Sequence, residues 1–99
     1  MNDCIRVTSD DLKTMNIYRM GVSFLRELYG YINTKKTTLV IVGQDVIDND
    51  FSLVVLKSRN GSQFKGVDTE IDIEQLPEAD LKAKTLFQRW LTKEDPDLN

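Results

Sequence analysis

The sequence predicts an α+β fold: a helix, a three-stranded antiparallel sheet and a second helix, in the order α-β-β-β-α. Three observations lead there. Apolar residues recur at helical spacing from Leu12 to Ile32. Two β-branched runs, TTLVIV and FSLVVLKS, then precede an Asn60-Gly61 pair and a strictly alternating stretch. Finally, a second amphipathic stripe follows Pro77.

The first helix is expected over about residues 10–32. Ser9 offers a hydroxyl cap, and Asp10 and Asp11 place carboxylates at the positive end of the macrodipole. Leu12, Met15, Tyr18, Val22, Leu25, Tyr29 and Ile32 recur every three or four residues, and Ile17, Met20, Phe24, Leu28 and Tyr31 form a second such set. Together they make an apolar arc of about 200°, wider than the ~100° stripe of an ordinary surface helix. Gly21 falls near its centre, where a glycine implies close backbone approach, and Gly30 would end or weaken the last turn.

Three strands follow, over about 37–43, 51–58 and 63–74. The first is apolar on both parities, as an interior strand covered on both faces should be. Residues 43–50 (GQDVIDND) read as a turn-rich connection and Asn60-Gly61 as a hairpin turn. In the last strand Gly66 shifts the parity, and Val67, Thr69, Ile71 and Ile73 then alternate with Asp68, Glu70, Asp72 and Glu74. The closing helix, about 77–93, carries Ala79, Ala83, Leu86, Phe87, Trp90 and Leu91 on one face. Double-stranded-RNA-binding domains share this element order, a likeness of architecture that carries no function by itself.

The 99 residues fit one domain, with 1–8 and 94–99 expected as flexible ends. With 40% hydrophobic and 29% charged residues, the composition is that of a globular chain. The longest purely apolar runs, residues 39–42 and 53–56, are far short of the roughly 20 residues a bilayer span needs. Residues 1–12 lack the basic patch and apolar stretch of a signal peptide, and Cys4 is the sole cysteine. Both features point to a reducing, cytoplasmic setting.

The chemistry-bearing residues exclude more than they suggest. No histidine is present, which removes serine triads and imidazole ligands. Cys4 lacks a histidine to activate it. Asp45, Asp48, Asn49 and Asp50 share one loop, but the EF-hand spacing is not met and a solvated turn is the simpler reading. No enzyme, cofactor or metal centre is expected.

Partner type is read from charge. The net charge is −3, and the charges are sorted along the chain. On a strand, Asp68, Glu70, Asp72 and Glu74 would project from one face about 6.6 Å apart. That row reads as a solvated strand face, or as a docking face for a basic or nucleic-acid-handling protein. The wide apolar arc should seek a partner of its own, so a twofold homodimer is expected through Met15, Tyr18, Val22, Leu25, Tyr29 and Ile32.

The resulting expectation is a non-enzymatic protein-binding module, a small acidic regulator or inhibitor of the antitoxin, immunity or phage-accessory type. The alternative is a nucleic-acid-binding domain. It would use Lys57, Arg59 and Lys65 at the hairpin and Lys82, Arg89 and Lys93 on the last helix, against an unfavourable net charge.

Overall fold

A computed structural model describes residues 3–18 and 24–93. Its elements are β1 (Ile5–Thr8), α1 (Ser9–Lys13), β2 (Asn16–Tyr18), β3 (Leu25–Ile32), β4 (Thr38–Asp45), β5 (Phe51–Lys57), β6 (Gln63–Ile73) and α2 (Leu76–Leu91). One sheet contains all six strands in the order β1-β3-β4-β5-β6-β2. Neighbours are antiparallel except β2, which runs parallel to β6.

The core begins at the central pair. Leu39, Val40, Ile41 and Val42 of β4 stand opposite Leu56, Val55, Val54 and Leu53 of β5, all fully buried. Alternate side chains point to opposite faces. Val40, Val42, Leu53 and Val55 accordingly pack with Ala79, Ala83, Leu86 and Phe87 of α2. Leu39, Ile41, Val54 and Leu56 face the other way, into a cluster with Val7, Leu12, Leu25, Ile32 and Phe64. Val7 lies on one edge strand and Phe64 four places away in the strand order, roughly 19 Å across a flat sheet. Their shared cluster therefore requires the sheet to curl into a half-barrel, with α1 bridging the gap between its edges.

The expected α-β-β-β-α class does not hold: the molecule is a six-stranded mixed sheet with two helices. The error lies within residues 10–32. Helix α1 spans five residues, and its N-cap is Thr8 rather than Ser9. The Thr8 hydroxyl accepts from the Asp11 amide while the Asp11 carboxylate accepts from the Thr8 amide and hydroxyl, a reciprocal capping box. Beyond it the chain turns to strand.

The helical spacing of the apolar residues has a different cause. A register shift in β3 between Glu27 and Tyr29 inserts one extra residue, so Leu28 and Tyr29 both pack toward α2. Leu25 and Ile32 face the barrel interior. A strand buried on both faces and broken by a bulge thus imitates the i, i+4, i+7 spacing of a helix. The twofold seam falls with the helix: Tyr29 lies on the α2 side, Leu25 and Ile32 on the other, and Tyr18 is exposed on β2. Val22 and Gly21 lie outside the described residues, as does the expected tail at 94–99.

Close strand approach depends on Gly30. A Cβ there would sit 2.8 Å from the Val40 carbonyl oxygen and 3.4 Å from Val7. Helix α2 is tied down at two points. Tyr29 and Tyr31 hydroxyls both donate to Asp80 Oδ1 at 2.5 Å, and Lys84 pairs with its other oxygen at 3.3 Å. At the far end buried Lys57 donates from Nζ to Thr38 Oγ1 at 2.6 Å and to the Trp90 carbonyl at 2.8 Å. A cation on a terminal carbonyl suits the negative end of the helix dipole.

Candidate protein-binding surface

Strand direction sorts the connecting loops into two groups. The β3–β4 turn and the β5–β6 turn fall at one pole of the half-barrel. The β4–β5 loop falls at the other, with the start of β3 and the end of β6.

The β4–β5 loop is held by its own polar groups. Asp45 Oδ1 accepts from the Ile47 amide at 2.8 Å, Asp48 Oδ1 from the Asp50 amide at 3.1 Å, and the Asp50 carbonyl from the Asp45 amide at 2.8 Å. These bonds suit aspartate, whose short carboxylate reaches the backbone two residues on. Asn49 adopts a positive φ of 64°, which asparagine tolerates. The loop consequently presents Val46 and Ile47 outward, 57% and 73% exposed. Phe24, 66% exposed, adjoins them through a hydrogen bond from the Val46 amide to its carbonyl.

Asp45 and Asp48 flank the two aliphatic residues in the loop. Oxygens of Asp48, Asp50 and Asp72 lie within 4.8 Å of one another. Asp72 reaches that position because β6 bulges between its pairings with Leu53 and Phe51, where Asp72 takes a φ of 61°. Partial burial, followed by repulsion from Asp48, Asp72, Glu74 and Asp45, raises the Asp50 carboxyl above its ordinary range. The three oxygens could contribute to a hard-cation site, although Ca²⁺ takes about six to eight oxygen ligands. Arg26 lies at the rim and donates to Gln44 at 3.0 Å.

The expected acidic row is divided by the same backbone irregularities. Asp68 and Glu70 stand opposite Val55 and Leu53, and so share their face of the sheet, the α2 side. Asp68 accepts there from the Trp90 indole at 3.2 Å. Asp72 instead joins the loop carboxylates, and Glu74 lies just past the strand end.

The basic residues are also distributed among different settings. Lys57 is buried beneath the end of α2, Lys82 pairs with Glu78 at 3.8 Å, and the Lys93 ammonium lies 5.0 Å from the centre of the Trp90 ring. Arg59, Lys65 and Arg89 are exposed on the β5–β6 turn, β6 and α2. The Asn60-Gly61 turn is wider than a two-residue hairpin: Asn60 Oδ1 accepts from the Ser62 and Gln63 amides, with Gly61 at a φ of 76°.

Sequence reasoning missed Phe24, Val46 and Ile47 as surface residues. Their signal was present in the loop GQDVIDND, where two aliphatic residues interrupt a run otherwise suited to solvent. No protein-family model, curated protein or solved structure matches the chain, so the functional reading rests on its own residues. None of the described helices is long and apolar enough to cross a membrane.

Proposed function

We propose that the chain is a non-enzymatic protein-binding module, a small acidic regulator or inhibitor. It docks a basic protein through the pole formed by Phe24, Val46 and Ile47 and their surrounding carboxylates. The observation that carries this reading is the exposure of Val46 and Ile47 on a hydrogen-bonded loop between Asp45 and Asp48. Exposed aliphatic surface forgoes about 25 cal/mol per Å² that burial would provide. A loop that holds it outward between like charges is built for contact rather than for folding. The carboxylates steer and orient a cationic partner, and the apolar tip supplies the area that becomes dry on docking.

Affinity capture from native extract, with and without nuclease, tests the reading. The wild-type chain should retain a basic protein that a Val46→Ser/Ile47→Ser variant of equal thermal stability does not. Equal retention by both would contradict it. Retention that nuclease abolishes would favour the nucleic-acid alternative, which draws support from exposed Arg59 near Lys35 and Lys36.

A further inference from the structure

The pole opposite the β4–β5 loop carries positive charge on a rigid platform. Asn33 Oδ1 accepts from the Thr37 and Thr38 amides at 2.9 and 2.8 Å, and Asn33 Nδ2 donates to Thr37 Oγ1 at 2.8 Å, which fixes the β3–β4 turn. In the β5–β6 turn Ser58 Oγ accepts from the Gly61 amide at 2.9 Å. The Ser58 amide donates to the Thr37 carbonyl at 2.8 Å, so the two turns form one unit. Lys35, Lys36 and Arg59 are exposed on it. Other cations are engaged: Arg6 lies on the Tyr29 ring, Lys13 pairs with Asp10, Lys82 with Glu78 and Lys84 with Asp80. Lys36 and Arg59 have no ion pair among the described residues. Lys35 attracts Asp3, whose carboxylate already accepts from the Thr34 amide at 2.7 Å. Lys36 also holds a φ of 58°, an unfavourable conformation for a long side chain and one that rigid functional turns tolerate.

An aromatic ring adjoins this unit. Gln63, Phe64 and Lys65 follow the β5–β6 turn directly, and with Tyr18 of β2 they line a hollow of ≈310 Å³. Tyr18 stands beside Lys65 in register and is 57% exposed. The open groove of ≈660 Å³ behind the platform, floored by Val7, Met15, Ile32 and Phe64, sets Lys36 against Asp11 and adds no net charge.

We infer that this pole binds single-stranded nucleic acid, with phosphates at Lys35, Lys36 and Arg59 and a base stacked on Tyr18. The inference goes beyond the acidic pole and does not rest on it. Single strands are held by cations that track the backbone and by exposed rings that stack with any base. An acidic protein segment would use the cations but leave the ring without a planar partner, and a duplex keeps its bases stacked inside. The net charge of −3 does not oppose such binding. The eight residues of β4 place the acidic pole about 26 Å away, roughly three times the ~8 Å Debye length at physiological salt.

Fluorescence anisotropy with the purified chain and labelled oligothymidylate or oligouridylate of about 12 nucleotides provides the test. Affinity should fall between about 50 and about 200 mM salt with a log–log slope near −2, as about three neutralised phosphates require. Arg59→Ala and Lys36→Asn, the latter keeping a residue that tolerates a positive φ, should each weaken binding and bring that slope about 0.7 closer to zero. Tyr18→Ala should weaken binding by about fivefold or more with the slope unchanged, since stacking releases no counterions. Val46→Ser/Ile47→Ser, at the other pole, should bind as the wild type does. The inference is overturned if neither strand binds at about 50 mM salt, or if the Arg59, Lys36 or Tyr18 variants match the wild type. Equal binding of a duplex of the same length, or equally good competition by polyglutamate, would overturn it too. Capture of the basic protein is read in a separate experiment, so either reading can fail alone.

Discussion

Three side chains show how this small protein handles charge near its core. Lys57, only 5% exposed, is tolerated because its ammonium is hydrogen-bonded to Thr38 and to the last turn of α2. Lys57→Met keeps the aliphatic stem but leaves those acceptors bare, so it should cost about 1–3 kcal/mol in urea unfolding. Asp80 is subject to opposing effects. Partial burial pushes its carboxyl up, while bonds from Tyr29, Tyr31 and Lys84 together bring it below its ordinary value of 3.8. A lowered folded value means the stabilisation is complete above that ordinary value and is lost as pH falls through it toward the folded one. Asp80→Asn should therefore flatten this part of the acid limb in a pH series of thermal melts. The same contacts, after burial itself, raise the Tyr31 hydroxyl to about 12. Asp50 has the reverse sign: its raised carboxyl works against folding at neutral pH. Asp72→Asn removes one repelling charge while keeping a residue type that tolerates a positive φ. It should raise the melting temperature at pH 7 slightly and bring the Asp50 carboxyl toward its ordinary value by NMR titration.

At the level of elements, what was legible in the sequence divides at about residue 33. The stretches expected as strands at 37–43, 51–58 and 63–74 are β4, β5 and β6, and the stretch expected as a helix at 77–93 contains most of α2. In those segments a single local pattern, either β-branched density or a 3.6-residue stripe, matches the burial that tertiary packing demands. Residues 10–32 contain a capped single turn, an edge strand and a bulged strand buried on both faces, and their combined apolar spacing reproduces a helix. The information lay instead in pairings with Ile5–Thr8 and β4, far along the chain. Gly43 illustrates it: a Cβ there would sit 2.5 Å from Leu25 Cγ, so the glycine exists to accommodate a leucine 18 positions earlier. Gly43→Ala should cost about 1–3 kcal/mol through overpacking. Leu25→Ala is destabilising by itself, and in the Gly43→Ala background it should cost measurably less, a coupling that a double-mutant cycle would detect.

On the scale of the whole molecule, curling a six-stranded sheet leaves two unlike poles. Short connections at one end gather Lys35, Lys36 and Arg59 beside an apolar groove; at the other they gather Asp45, Asp48, Asp50 and Asp72 around Val46 and Ile47. The sequence announced the acidic residues as a row, but bulges in β6 send Asp68 and Glu70 toward α2 and leave Asp72 at the pole, an outcome no alternation pattern contains. The central claim is that the acidic–apolar pole meets the partner. Chemical-shift mapping tests it most directly, by titrating the ¹⁵N-labelled chain with the protein retained in the capture experiment at a concentration where the chain alone is monomeric. The expected result is a contiguous set of shifts at Phe24, residues 45–50 and residues 72–74, diminished by added salt. Shifts centred instead on residues 33–37 and 58–62, with the β4–β5 loop unmoved, would contradict it.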